Sequence, residues 1–215
     1  MPSDPTILAF DTSAAHCAVA LLLGGKIVAR AYEDMPRGQA ERLPGMVEKV
    51  VAEVGAIWEE LDAIGVGVGP GNFTGIRIGV SYARGLALGL GIPAIGVTGF
   101  EVVSLRDTGT DAHDVMSALV HTPSGRQMLP GPGGIAYAQD FSGRIANGEP
   151  HVAELDLNGK PDHTLPIDWS REGLTALVGL TAKKLAAGNA ARPAPLYIRP
   201  ADAAPARHQA PTIIE

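Results

Sequence analysis

Cysteine is nearly missing from these 215 residues, and the single one, Cys17, permits neither an internal disulfide nor a Cys-rich zinc site. Its place inside an apolar run fits a reducing compartment. Aromatic residues are scarce too, at 5%. The six histidines, at 16, 113, 121, 151, 163 and 208, include no pair three or four apart, which removes a helical His-x-x-x-His metal site. Positive charge is short: 17 Lys and Arg stand against 23 Asp and Glu, a formal net charge of −6. A protein that grips nucleic-acid phosphate through its overall field is therefore not expected. Apolar stretches are broken by Gly, Pro or charge before they reach spanning length, and Met1–Thr6 lacks a basic region leading into an apolar one. The expectation is a soluble cytoplasmic chain with no cofactor and no metal.

What is present is core-forming material. Hydrophobic residues make up 46% and charged residues 19%, at a length that buries a sizeable core. Neither a disordered tail nor a disulfide-stapled mini-protein fits. The 27 glycines and 17 prolines then pose the question of which backbone positions need them.

Hydrophobic patterning predicts strands over Thr6–Thr12, His16–Leu23 and Lys26–Glu33, with Gly24-Gly25 supplying the positive φ of a tight turn. Leu43, Met46, Val47, Val50, Val51 and Val54 fall on one helical stripe within 41–55, with Pro44 suited to a first turn and Gly55 to the end. Ala63–Val68 reads as a buried strand. A second helix over about 74–89 and a strand at Pro93–Val97 follow, and Phe100–Leu105 starts another helix. The order β-β-β-α-β-α-β forces parallel pairing onto a sheet begun as a meander, which is the ribonuclease-H-like pattern. A boundary near Asp107–Asp114 divides 1–107 from a second, divergent part, 108–215. There, 123–150 holds ten Gly and Pro, with strand candidates at Val115–Val120 and Ile135–Phe141. Arg171–Ala187 reads as a helix, and the Pro- and Ala-rich end as extended.

The loop Gly69-Pro70-Gly71-Asn72-Phe73-Thr74-Gly75 lies between a strand and a helix, where backbone N–H groups can cradle phosphate. Neither known version fits, because Thr74-Gly75-Ile76-Arg77 replaces the Walker Gly-Lys-Ser/Thr and no G-x-G-x-x-G register is available. A tight turn capped by Asn72 or Thr74, or an interface role, is the preferred reading, with Phe73 an anchor in the fold or in a partner. Gly75, Gly79, Ala83, Ala87 and Gly91 stand four apart along the second helix, so something approaches it closely. The spacing leaves open whether that is the chain's own sheet or another subunit. Asp11-Thr12-Ser13, ending the first strand, fits either a metal-bound phosphate or a turn bonded to its own backbone. Gly79-Val80-Ser81-Tyr82-Ala83 only mimics a nucleophile elbow, since it lies within a helix.

Four segments together resemble one family. They are ILAFDTS at 7–13, Leu43-Pro44 spaced to Val50, GVGPGNFTGIRIGVSYARGLALGLGIP at 67–93 and PLYIRPADA at 195–203. The chain is identified by these as a member of the TsaB (YeaZ) family, the non-catalytic subunit of the bacterial machinery for N6-threonylcarbamoylation of adenosine 37 in tRNA. The match is close over 1–105. Many relatives carry His-Ser-Glu where this chain has Gln39-Ala40-Glu41, and the second half departs further, reading ALVHTPSGR at 118–126.

The resemblance implies an actin-like α/β fold of two ribonuclease-H-like lobes and a heterodimer with the catalytic paralogue TsaD. The ATPase TsaE joins the assembly, and self-association through the same surface occurs when TsaD is absent. It also implies that the two N-lobe helices make the interface, here through Leu43, Met46, Val47, Val50, Gly75, Arg77, Gly79, Ala83 and Ala87. Asp11, Thr12 and Ser13 align with the first phosphate element of that fold but lack its usual glycine, which implies weak or no nucleotide binding. The rival reading is an enzyme, a stand-alone actin-like ATPase or a glycoprotease-like metallopeptidase. Contact with tRNA falls mainly to partners, because 33–62 holds eight acids against three bases, 63–104 is only one charge to the basic side, and the larger basic excess lies in 171–215, six bases against three acids.

Overall fold

Continuous apolar runs make strands covered on both faces, and β1 (Ile7–Asp11) and β2 (His16–Leu23) are buried almost throughout. The edge strand β3 (Lys26–Asp34) instead leaves most of its residues at least partly exposed. Gly24 and Gly25, with φ of 57° and 73°, form the two-residue turn between β2 and β3. β4 (Ala63–Gly67) and β5 (Ala94–Val97) complete a mixed five-stranded sheet in the order β3-β2-β1-β4-β5. β4 runs parallel to β1 and to β5, while the β1–β2 and β2–β3 pairs are antiparallel. The parallel joins follow the helical connections α1 (Gln39–Glu53) and α2 (Phe73–Leu90). The computed structural model describes residues 4–107, 119–121, 125–131, 135–142, 145–153 and 167–198.

Both helices lie on one face of the sheet. The α1 stripe of Leu43, Met46, Val47, Val50 and Val51 packs with Ile76, Val80, Ala83 and Ala87 of α2 against Phe10, Val19, Leu21, Ile64 and Val66. α1 starts at Gln39, so Pro44 lies inside the helix and not in its first turn. Gly55, at φ 66°, follows the C-cap residue Val54, and Gly91, at φ 69°, ends α2.

The opposite face of the sheet is covered from the far end of the chain. Helix α4 (Glu172–Ala186) sets Leu174, Leu177 and Val178 against Ile7, Ala9, Ala20, Ile95 and Val97. A methyl at Gly65 would lie 2.3 Å from Thr181 Oγ1, so the bare glycine admits α4 to the sheet. Leu196 N then donates to Val68 O at 2.8 Å, tying the extended C-terminal segment to the end of β4. Residues beyond 107 thus complete the first sheet's layers.

Between these pieces α3 (Gly99–Val103) is capped by Thr98 with Glu101 in a reciprocal capping box. β6 (Leu105–Asp107) pairs antiparallel with β7 (Leu119–His121). β8 (Gly125–Pro130), β9 (Ala136–Ser142) and β10 (Ile145–Ala153) form a second, antiparallel sheet in the order β10-β9-β8. The strand expected at Ile135–Phe141 is β9, and the Val115–Val120 candidate meets β7 only at its end, with 115–118 outside the described residues. Gly and Pro hid β8 and β10 from the pattern. No helix among the described residues is long and apolar enough to cross a membrane.

Candidate functional site

The parallel strands β1 and β4 end side by side, which brings the Asp11-Thr12-Ser13 turn against the Gly69–Gly75 loop. Asp11 Oδ1 accepts from Ser13 N, Ser13 Oγ and His16 Nε2, each at 2.8 Å. Thr12 Oγ1 donates to Gly75 O at 2.7 Å, and Asn72 N to Ser13 O at 2.5 Å. Asn72 caps α2 by accepting from Gly75 N at 3.0 Å, as one of the two expected caps. Both hydroxyls and three backbone N–H groups of the two turns, those of Ser13, Asn72 and Gly75, are thereby committed within the chain.

Glycine makes this closure possible. A methyl at Gly67 would sit 1.7 Å from Asp11 Oδ2, at Gly71 2.1 Å from Ser13 O, and at Gly75 2.0 Å from Thr12 O. Gly69 holds φ at 96°, a left-handed value, ahead of a cis bond to Pro70. Gly69 O accepts from Gly99 N at 2.8 Å, joining the loop to α3. The motif loop is the lock that holds the strand end, the following helix and α3 together.

The four-apart row of α2 faces that lock. Gly79 is kept bare by Thr12 Oγ1, 2.7 Å from where a methyl would stand, and Ala83 and Ala87 are buried against the sheet. Leu43, Met46, Val47 and Val50 of α1 are buried as well. Of the nine residues assigned to a partner, eight therefore have their side-chain positions in this chain's own core. A helix laid on a sheet turns its most continuous small and apolar row inward. Arg77 alone is exposed.

Arg77 belongs to a different cluster. Its guanidinium stands 3.8 Å from the centroid of Phe73, and its Nε donates to Tyr197 Oη at 2.8 Å. Phe73 stacks on Tyr197 with centroids 4.4 Å apart. Phe73 is thus an anchor in the fold, holding the C-terminal segment over the start of α2. Asn72 and Thr74 are exposed beside it, and Pro70 and Gly71 are half-buried.

The outward face of α2 carries Ser81, Gly85, Leu88 and Gly89, all exposed, Leu88 to 86%. A methyl at Gly85 or Gly89 would meet no atom within 4 Å, nor would one at Gly45 of α1. Beside this face an open groove of about 440 Å³ runs between the helices, lined by Glu48, Trp58, Ser81, Tyr82, Gly85, Leu86, Gly89 and Leu90. Burial raises the Tyr82 phenol above its usual value, and the nearby Glu48 carboxylate adds to the effect. Sequence reasoning missed this surface, although Ser81-x3-Gly85-x3-Gly89 repeats the small-residue spacing two positions away from the inward row.

Chemistry is sparse elsewhere. Burial first, then Glu33 and Asp11, push the Cys17 thiol up to about 11, far from a reactive thiolate. Among the described residues no three His, Cys, Asp or Glu side chains gather as metal ligands do.

Comparison with known proteins adds the following. The family model for TsaD, tRNA N6-adenosine threonylcarbamoyltransferase, matches residues 33–128. The tRNA threonylcarbamoyladenosine biosynthesis protein TsaB of Escherichia coli is 42% identical over 92 residues, covering 43% of this chain and 39% of that protein. The TsaB of Haemophilus influenzae is 39% identical over 93 residues, again covering 39% of its length. The chain thus spans less than half the length of these curated relatives. An uncharacterized protein of Mycobacterium tuberculosis is 31% identical over 211 residues, 93% of this chain and 94% of that one. YeaZ from Pseudomonas aeruginosa superposes with a TM-score of 0.66 at 25% identity, covering 90% of this chain and 99% of that one.

Proposed function

Because the chain belongs to the TsaB (YeaZ) family, we propose that it is a scaffold and activating subunit for N6-threonylcarbamoylation of adenosine 37 in tRNA. In this role it docks the catalytic subunit TsaD and holds it in a competent arrangement, contributing no catalytic side chain. TsaE joins the pair, tRNA is held mainly by the partners, and the setting is the cytoplasm. The family's names describe biosynthesis proteins and not catalysts, which agrees with a supporting role.

The observation that carries this reading is the outward face of α1 and α2. Two glycines on the exposed face of α2, one in its interior and one in its last turn, each cost helix stability, about 1 kcal/mol against alanine in an interior position. Gly85 and Gly89 recover no packing among the described residues, since a methyl on either would meet no atom within 4 Å. Close approach of helices from another subunit makes use of both. The same face serves a second copy of the chain when TsaD is absent. An actin-like pair of ribonuclease-H-like lobes is the finer architecture we assign, supported by the β3-β2-β1-β4-β5 order and a second sheet built from the later residues.

Nucleotide binding by the lone subunit is weak or nil in this reading, supported by the committed donors around Asp11, Thr12 and Ser13. The deciding experiment is formation of the modified adenosine in a reconstitution with and without this chain. Undiminished product in its absence refutes the role. The rival enzyme reading is separated by assaying the purified chain alone for ATP hydrolysis and proteolysis.

A further inference from the structure

Glu48 is the one charged residue among those lining the groove between α1 and α2. Its own helix offers no neutralisation: the residues three and four positions away are Pro44, Gly45, Val51 and Ala52. Lys49 sits 100° round α1, and Arg84 sits 100° round α2 from Gly85, on the side of Arg77. Among the described residues Glu48 takes part in no ion pair. The helix and its surroundings are acid-rich, eight acids against three bases over 33–62.

Resting on the reading that this face docks the catalytic subunit, we propose that Glu48 selects a partner helix carrying a lysine or arginine over a second copy of this chain. Docking covers the carboxylate together with Trp58, Tyr82 and Leu86 of the groove wall. A carboxylate taken from water without a counter-charge opposes association, whereas a cation set against it forms a buried pair and fixes the register. A second copy seated through the same groove brings another Glu48 and no cation from the groove lining, because a two-fold contact repeats the same patch. Self-association therefore dries two carboxylates, and the heterologous complex pairs one. The charge discriminates through repulsion as well as attraction.

The test compares wild type, Glu48→Gln and the neighbouring control Lys49→Gln as full-length chains. Sedimentation gives self-association, and calorimetric titration with purified TsaD gives the heterodimer, each at low and high salt. Glu48→Gln is expected to weaken the heterodimer at least about tenfold, remove most of its salt dependence and tighten self-association. Lys49→Gln leaves both within about twofold. A Glu48→Gln chain that melts like wild type yet binds TsaD as tightly, or self-associates no better, overturns the selection by charge and leaves the docking surface standing. Wild type that does not bind TsaD at all overturns the docking reading itself and the selection with it.

Discussion

Replacing Gly85 with alanine should push stability and association in opposite directions, which makes it the sharpest probe of the outward helix face. The position is interior to α2, a helix of 18 residues, and the added methyl meets no atom within 4 Å. The change therefore carries no steric cost in the free subunit and gains the helix-propensity difference, about 0.8–1 kcal/mol. For a domain of this size that raises the melting temperature by about 2–4 °C. In the complex the same methyl stands where a partner backbone approaches, so association with TsaD weakens, by about tenfold if roughly 1.4 kcal/mol of packing is lost. Gly85→Leu extends the series, with little further change in stability and near-complete loss of the complex. The assays are thermal melts of the lone subunit and calorimetric titration with TsaD. Gly85→Leu that binds as wild type does refutes the assignment of this face. A fall in the melting temperature of Gly85→Ala refutes the claim of open space. Gly79 makes the contrasting case, since a side chain there strikes Thr12 and tests folding instead of binding.

Other perturbations separate the lock from the surface. Gly67→Ala drives a methyl into the Asp11 carboxylate and should cost about 1–3 kcal/mol in urea unfolding, with Gly45→Ala, which meets nothing, as the neutral-to-stabilising control. Tyr197→Ala removes the stack on Phe73 and the partner of Arg77; it should cost about 1–2 kcal/mol and speed proteolytic clipping after Ala187, while Tyr197→Phe retains most of the protection. Asp168 is held below the usual carboxylate range by the Ser170 hydroxyl and backbone, with Arg171 adding. Its folded-state pKa is depressed, so its contribution is present above the unfolded value near 4 and is lost as pH falls through the folded one. Asp168→Asn should accordingly lower the melting temperature at pH 7 and converge with wild type at the acid end of the transition.

The legible part of the fold was the part whose signals are local. Continuous apolar strands, the two glycines at 24 and 25 and the stripe of α1 each announce themselves within a few residues, and the N-terminal elements lie within a few residues of expectation. Three things were not local. The direction of the α2 small-residue row depended on where Thr12 would stand after β1 and β4 paired, and no spacing rule contains that. The groove draws on Glu48, Trp58 and α2, which come together only when the two helices pack on one face of the sheet. The strands β8 and β10 carry glycine, proline and exposed polar residues, and their pattern disappears where neither face is a continuous core. The turn at Asp11 was readable as a turn, but its close packing on the glycine loop required seeing three glycines placed opposite three chain oxygens.

The late arrival of α4 also sets a timetable for synthesis. The first sheet can be complete once β5 ends at Val97, yet the helix that covers Ile7, Ala9, Ile95 and Val97 begins only at Glu172, about 75 residues later. At roughly 5–20 residues per second that is about 4–15 s of translation. Throughout that interval α4 is missing from the face that it covers in the folded chain, where among the described elements before it α3 contributes Val102. A truncation before Glu172 should consequently be sticky, and the natural order of the chain makes the arrival of α4 the step that ends that exposure.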